Sequence, residues 1–310
     1  MQPLFVTGHR GLVGGAVFRE AERQGLSPVG QKRDELDLLD TSAVATYILD
    51  SAPRAIVMAA AKVGGILANS TYPVDFLTEN LRIQLNVLEA AVAAGVPKVL
   101  FLGSSCIYPK LAPQPISEDS LLTGPLEPTN DAYAIAKIAG VLHIQAIRRQ
   151  YGLPYVSAMP TNLYGPGDNF DLAGSHVMPA MIRKMHEAKV TGASTVSMWG
   201  TGTPLREFLH VEDMARASLF LLEHYDEPEP INVGTGVDLT IRDLAELVQQ
   251  VVGFDGTLTW DSSKPDGTPR KQLDTRRLTE LGWTPSIGLE DGIHSTYAWF
   301  LEHVQTDARL

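Results

Sequence analysis

Five short apolar runs, "PLFVTG" (3–8), "PVGQ" (28–31), "AIVMAA" (55–60), "KVLFLGS" (98–104) and "YVSAMPT" (155–161), recur through the first half of the chain. Between them lie stretches of helical periodicity: about Val13 to Gln24, from Ser42, about Thr78 to Ala94, and Asp131 to Tyr151. Strand-length runs alternating with helices predict a parallel sheet covered on both faces. The expected class is α/β, a Rossmann-type doubly wound parallel sheet. After Pro166 the rhythm loosens into a Gly- and Asp-rich loop, a helix to about Lys189, a short strand "VSMW" (196–199) and a helix near Val211 to Tyr225. The strand "INVG" (231–234) is expected to rejoin the main sheet, while later helices and the loop "SKPDGTPRK" (263–271) build a smaller, interleaved α/β lobe. This divides the chain into a dinucleotide-binding body, 1–165 and 208–236, and a substrate lobe, 166–207 and 237–310, with a cleft between them.

The first strand-like run opens into "TGHRGLVGGAV", which spaces Gly8, Gly11 and Gly14 three apart. Glycines there permit a tight turn and let a helix N-terminus face a pyrophosphate. The second strand ends in "GQKRDEL". Arg10 and Arg33, with Lys32 beside them, suit the 2′-phosphate of NADP, because guanidinium grips phosphate bidentately. On the alternative, those cations are merely solvated and Asp34 holds the ribose hydroxyl of NAD.

A formal charge of -11 repels polyanions, and no basic stripe with interleaved aromatics appears, so nucleic acid is excluded as a partner. No apolar run approaches the roughly 20 residues needed to cross a bilayer. With one cysteine no internal disulfide can form, and no signal-like segment precedes the first strand, so the cytoplasm is expected.

That cysteine stands in "FLGSSCIYPK", just past Ser104 and Ser105. Tyr133 and Lys137, four apart in "DAYAIAKIAG", share one helix face. With Ser104 at the carboxyl end of a parallel strand, where such folds react, they describe a site that moves hydride to or from an oxygen-bearing carbon. The Lys137 ammonium is expected to lower the Tyr133 phenol into a usable range. Strand alternation is expected to return Cys106 to the face of Ser104. A thiol beside a polarised ketone can remove an α-proton if donors hold the enolate oxygen. His176, at the end of the loop over the cleft, is the candidate to serve the opposite face, with helix capping or loop tethering as its other reading. His210 reads as ordering the turn into the helix that Asp213 helps start. No metal is implied.

From these residues the chain resembles the extended short-chain dehydrogenase/reductase family. The run of "GSSCIYPK", "PTNDAYAIAK", "MPTNLYGPGDNF", "SHVMPA", "WGTGTPLREFLHVEDMA", "INVGTG" and "SKPDGTPRK" is similar to its GDP-L-fucose synthase branch over nearly the whole length. The resemblance implies a bifunctional enzyme that epimerises GDP-4-keto-6-deoxy-D-mannose at C3 and C5 through enolates and then reduces C4 with NADPH. It puts the reductase groups on Ser104, Tyr133 and Lys137, and the epimerase pair on Cys106 and His176. It implies NADP(H) contacts at Gly8, His9, Arg10, Gly11, Leu12, Val13 and Gly14, then at Arg33, Asp34, Glu35, Leu36, Asp37 and Leu38. Further contacts fall on Leu102, Gly103, Ser104 and Ser105, on Lys137, on Pro160, Thr161, Asn162 and Leu163, and on His176. Lys184, Trp199, Arg206 and Asp266 would meet the GDP-sugar, and the protein would be a homodimer paired through the helices of Leu81 and Ala134. Lys184 departs from the arginine often found there, a point charge in place of a planar fork. The guanine base rests on resemblance alone. Competing readings are a nucleotide-sugar 4-epimerase or a GDP-mannose 3,5-epimerase retaining NAD, and a non-catalytic dinucleotide sensor.

Overall fold

The computed structural model describes residues 3–172 and 174–304. Along the chain run β1 (Leu4–Thr7), α1 (Leu12–Arg23), β2 (Pro28–Val29), α2 (Thr41–Ser51), β3 (Ala55–Met58), α3 (Ile66–Thr71), α4 (Pro73–Ala93), β4 (Val99–Leu102), α5 (Asp131–Tyr151) and β5 (Val156–Pro160). There follow β6 (Asn162–Tyr164), α6 (Val177–Thr191), β7 (Thr195–Trp199), β8 (Leu205–His210), α7 (Val211–His224) and β9 (Ile231–Val233). The last are β10 (Asp238–Thr240), α8 (Ile241–Val252), β11 (Thr257–Asp261), β12 (Arg270–Lys271), α9 (Arg276–Glu280) and α10 (Leu289–His303).

Six strands form the central sheet in the order β2-β1-β3-β4-β5-β9, all pairs parallel. Apart from the half-buried edge strand β2, its strands are buried on both faces, which is why they read as unbroken apolar runs. In β1 the alternation is visible within four residues: Leu4 and Val6 pack with Ala16 and Val17 of α1 and Met214 and Ala215 of α7. Phe5 points the other way, into a core with Ile48 of α2, Leu88 of α4 and Val141 of α5. The order reverses between β1 and β3, so a crevice opens at their carboxyl ends, the place where open parallel sheets bind ligands. As expected, "INVG" rejoins this sheet, through β9 pairing with β5.

The smaller lobe has its own core, in which Met181, Ile182 and Met185 of α6 meet Val248 of α8 and Phe300 of α10. Its organising strand is β8, a segment to which the sequence reading assigned no element. β8 pairs with β10 antiparallel and with β12 and β6 in parallel, so it joins both lobes. In "LREFLH" the buried Glu207 interrupts the apolar pattern, and that masked the strand. α4 begins at Pro73, five residues before the expected Thr78, because proline at the first helical position costs no hydrogen bond. The second strand shrinks from the expected 28–31 to Pro28–Val29.

Candidate active site

The turn after β1 is a close backbone crossing. Gly8 takes φ +67, and a Cβ on Gly14 would lie 2.2 Å from the Gly8 oxygen. Gly11 donates to the same oxygen at 2.8 Å and starts α1 without a side-chain cap. The first amides of α1, at Leu12, Val13 and Gly14, therefore lack intrahelical partners and face outward over the crevice. His9 packs against Phe18, with ring centroids 5.6 Å apart, and its ring fills the space a Cβ on Gly30 would need. Arg10, Arg33 and Asp34 are exposed at the end of this groove, and Lys32 pairs with Glu35 at 3.5 Å. Leu36 is buried, Asp37 fastens the amide of Leu39 at 3.0 Å, and the Leu38 carbonyl accepts from Asn86 at 2.8 Å. A backbone cradle that only glycine permits, followed by two exposed arginines, fits a dinucleotide carrying an extra phosphate.

At the end of β4, Leu102 offers its carbonyl to the Lys137 ammonium at 2.7 Å, and Gly103 donates to Ala158 at 2.9 Å. The chain then leaves the sheet. Ser105–Ile107 forms one turn of 3-10 helix, so strand alternation is not what places Cys106 beside Ser104. Instead the turn folds back, and the Cys106 amide donates to Ser104 Oγ at 3.2 Å. The Ser104 side chain is near enough to both the Cys106 thiol and the Tyr133 hydroxyl to favour the ionised form of each. One hydroxyl therefore stands by both the thiol and the phenol.

Tyr133 and Lys137 share the inner face of α5, with the Lys137 Nζ 5.9 Å from the Tyr133 ring. The expected lowering of the phenol is not found. Burial pushes Tyr133 up, and the neighbouring Cys106 pushes it further. Burial also brings Lys137 down to about 8, since its charge is removed from water and its one strong partner is the neutral Leu102 carbonyl. Tyr133 is thus held protonated, as a proton donor must be.

Cys106 is surrounded by donors. Asn130 Nδ2 and Lys271 Nζ each reach its sulfur at 3.3 Å. Burial alone would raise the thiol, but the Lys271 charge and the hydrogen bonds from Ser104, Lys271 and Asn130 leave it lowered. Asn130 keeps its Oδ1 buried with no hydrogen-bond partner, an acceptor left over beside the sulfur. Neither Asn130 nor Lys271 was singled out from sequence. Asn130 was visible only as the residue before an α5 N-terminus, and "SKPDGTPRK" only as a loop of the smaller lobe, whereas its last lysine sits at the thiol.

His176 occupies the N-cap position of α6 but its side chain makes no capping hydrogen bond, which removes the capping reading. It is solvent-accessible yet crowded within the cleft wall, and burial followed by the Lys271 charge lowers its imidazole. The loop before it is braced by α3: Gly65 donates to Gly174 at 3.2 Å, and a Cβ on Gly65 would meet the Ser175 oxygen at 2.8 Å. His210 does order the start of α7, accepting from the Glu212 amide at 3.3 Å, and buried Asp213 accepts from the amides of Ser286 and Ile287.

Pro160 ends β5, and Thr161 and Asn162 both donate to the Glu207 carbonyl, at 3.2 and 2.7 Å, while Leu163 packs on the sheet core. Further out, Trp199 is exposed between two ammonium groups, Lys184 at 5.7 Å and Lys264 at 5.3 Å from its ring. Arg206 donates to the Asp266 carbonyl at 3.3 Å and feels the charges of Cys106 and Asp266. Both Asp266 carboxylate oxygens already accept from Thr201, at 2.8 and 2.9 Å, fastening the turn at Gly200.

Comparison with known proteins agrees with this geometry. Residues 4–234 match the model of the NAD dependent epimerase/dehydratase family. The chain is 57% identical over 303 residues to a probable GDP-L-fucose synthase 1 of Oryza sativa subsp. japonica, covering 97% of this chain and 92% of that one. It is 54% identical over 312 residues to the GDP-L-fucose synthase of Escherichia coli (strain K12), covering 97% of each. Among solved structures it is similar to a GDP-L-fucose synthetase from Naegleria fowleri bound to NADP, with a TM-score of 0.91 and 29% identity over 100% of this chain and 96% of that one. A GDP-6-OMe-4-keto-L-xylo-heptose reductase from C. jejuni superposes with a TM-score of 0.93 at 32% identity, covering 97% and 98%. By the family model and by these full-length likenesses, the chain belongs to the NAD dependent epimerase/dehydratase family, with GDP-L-fucose synthases as near relatives.

Proposed function

We propose that the protein converts GDP-4-keto-6-deoxy-D-mannose to GDP-L-fucose, epimerising C3 and C5 before reducing C4. One observation carries this reading: Ser104 Oγ accepts from the Cys106 amide at 3.2 Å, and its side chain is close enough to the Cys106 thiol and the Tyr133 hydroxyl to lower both, so a carbonyl held there lies beside a base for its α-hydrogens and beside a donor for its oxygen. Near relatives bearing the GDP-L-fucose synthase name support the substrate. Body 1–165 and 208–236 holds the cofactor and lobe 166–207 and 237–310 holds the sugar nucleotide, although residues 1–2, 173 and 305–310 of these ranges lie outside the described ones.

NADPH, when bound, would supply the hydride for C4. The α1 amides would receive its pyrophosphate, and Arg10 and Arg33 its 2′-phosphate. Ser104 and Tyr133 hold the C4 oxygen, which acidifies the hydrogens at C3 and C5. Cys106 and His176 exchange those protons on opposite faces of the ring, the C–H electron pair moving into the enolate whose oxygen the two hydroxyls hold. At the end Tyr133 protonates the alkoxide oxygen. Lys184, Trp199, Arg206 and Asp266 form the nucleotide end of the cleft.

No helix among the described residues is long and apolar enough to cross a membrane. A reducing compartment, the cytoplasm, suits an enzyme that depends on a free thiol. Homodimer formation is read from α4 and α5, which together expose Leu85, Ile135 and Leu142 on adjoining helices. The test of substrate is direct. NADPH absorbance is followed with GDP-4-keto-6-deoxy-D-mannose and with its uridine and thymidine counterparts; oxidation with the guanosine compound alone is expected, and equal rates with all three would remove the assignment.

A further inference from the structure

Lys271 lies far from the other active-site residues in sequence and is held in place from several sides. It ends β12, which pairs with β8, so that Lys271 stands opposite Arg206. The next residues are stitched across the molecule: Gln272 accepts from the Ile116 amide at 2.8 Å, Leu273 donates to buried Glu207 at 2.8 Å, and Asp274 donates to Ile116 at 2.9 Å. The backbone of Lys271 cannot drift, and its Nζ is 3.3 Å from the Cys106 sulfur. Across the sulfur Asn130 donates a second hydrogen bond, also at 3.3 Å, and Ser104 a third contact. Sulfur accepting from an ammonium and an amide is the arrangement a thiolate prefers, since each contact is stronger to an anion than to a neutral thiol.

We propose that Lys271 is a positioning residue that keeps Cys106 as a resting thiolate, so that the sulfur meets the substrate already competent as a base. The claim rests on the proposed function for its catalytic consequence, but not for the state of the sulfur. Cys106 S⁻ takes the proton from the carbon beside the ketone and becomes a thiol, and the C–H electron pair passes into the enolate held by Ser104 and Tyr133. Other groups facing the sulfur do not replace Lys271. Arg206 acts on it only at a distance, Tyr133 stays protonated, Asn130 is neutral, and Glu127 in the same pocket wall is paired with Lys110 at 2.9 Å. The same ammonium also lowers His176, so a single cation biases both members of the proton-exchanging pair.

Because Cys106 is the only cysteine, alkylation by iodoacetamide reads this sulfur and no other. Its rate against pH is measured for the wild type, Lys271→Met and Lys271→Arg, each checked for folding by circular dichroism and NADPH affinity. The wild-type midpoint is expected below the roughly 8.5 of a free thiol. Lys271→Met should raise it by about one pH unit or more, and Lys271→Arg should keep it low. With substrate in D₂O, Lys271→Met should lower deuterium entry beside the ketone by about tenfold more than it lowers hydride transfer to the ketone already epimerised. An unshifted alkylation midpoint in folded Lys271→Met overturns the inference and leaves the proposed function standing. A shifted midpoint in a protein whose wild type incorporates no deuterium overturns the catalytic half, through failure of the proposed function.

Discussion

Each side chain in the cleft does its work through the charge state its neighbours impose. Tyr133, pushed up by burial, keeps its proton, as the donor role proposed for it requires. Tyr133→Phe is expected to lower C4 reduction by about 10²- to 10⁴-fold, the range for loss of one positioned acid, measured as single-turnover NADPH oxidation. Lys137, brought down to about 8 by burial, is charged below that pH and neutral above it. Its Nζ lies 5.9 Å from the Tyr133 ring and does not lower the resting phenol, but under the proposed mechanism its charge would offset the tyrosinate formed in turnover, so reduction should fall as pH rises through about 8. A pH profile of the hydride step with Lys137→Arg, in which the alkaline limb should move upward, checks the sign. At this scale the sequence was legible where spacing enforces proximity. Tyr133 and Lys137 are one helical turn apart and could be paired on paper. Lys271 and Cys106 are 165 positions apart and meet only through β12, so nothing local announced them.

Elements hold these groups where backbone geometry leaves little freedom. The Gly8 to Gly14 turn admits no side chain at position 14, and Gly14→Ala should weaken NADPH binding by about tenfold or more because the turn must open to accept a methyl group. Arg33→Ala should lower the preference for NADPH over NADH by about tenfold or more, as expected for one lost charge-assisted contact to phosphate. Both are read by fluorescence titration of the two cofactors. β8 is the other critical element. Its Glu207 accepts from the amides of Thr235, Gly236 and Leu273, tying β9 and the segment after β12 to the centre. Glu207→Gln replaces an acceptor oxygen with a second donor, and should cost about 3 kcal/mol of stability in urea unfolding. The parallel sheet was legible because its strands are buried on both faces and therefore continuous in apolar residues. β8 was not, because a buried carboxylate serving three amides looks, in one dimension, like a loop residue.

The whole molecule turns these pieces into a cleft whose two walls come from different lobes. Cys106, Tyr133 and Ser104 stand on the sheet body, whereas Lys271 and His176 arrive from segments of the smaller lobe. For the proposed homodimer, replacing both Ile135 and Leu142 with glutamate should shift sedimentation toward monomer by placing charge at exposed apolar positions of α5. The body's class could be read from alternation, but the way later strands return to it depends on long-range pairing that no periodicity records. In the proposed function one carbonyl site serves two chemistries in succession. Mass spectrometry of GDP-fucose made in D₂O with unlabelled NADPH tests this most directly. Wild-type product should carry two carbon-bound solvent deuteriums and the cofactor's hydrogen at C4, and Cys106→Ser product should lack the solvent label; a fully reduced wild-type product free of deuterium would contradict it.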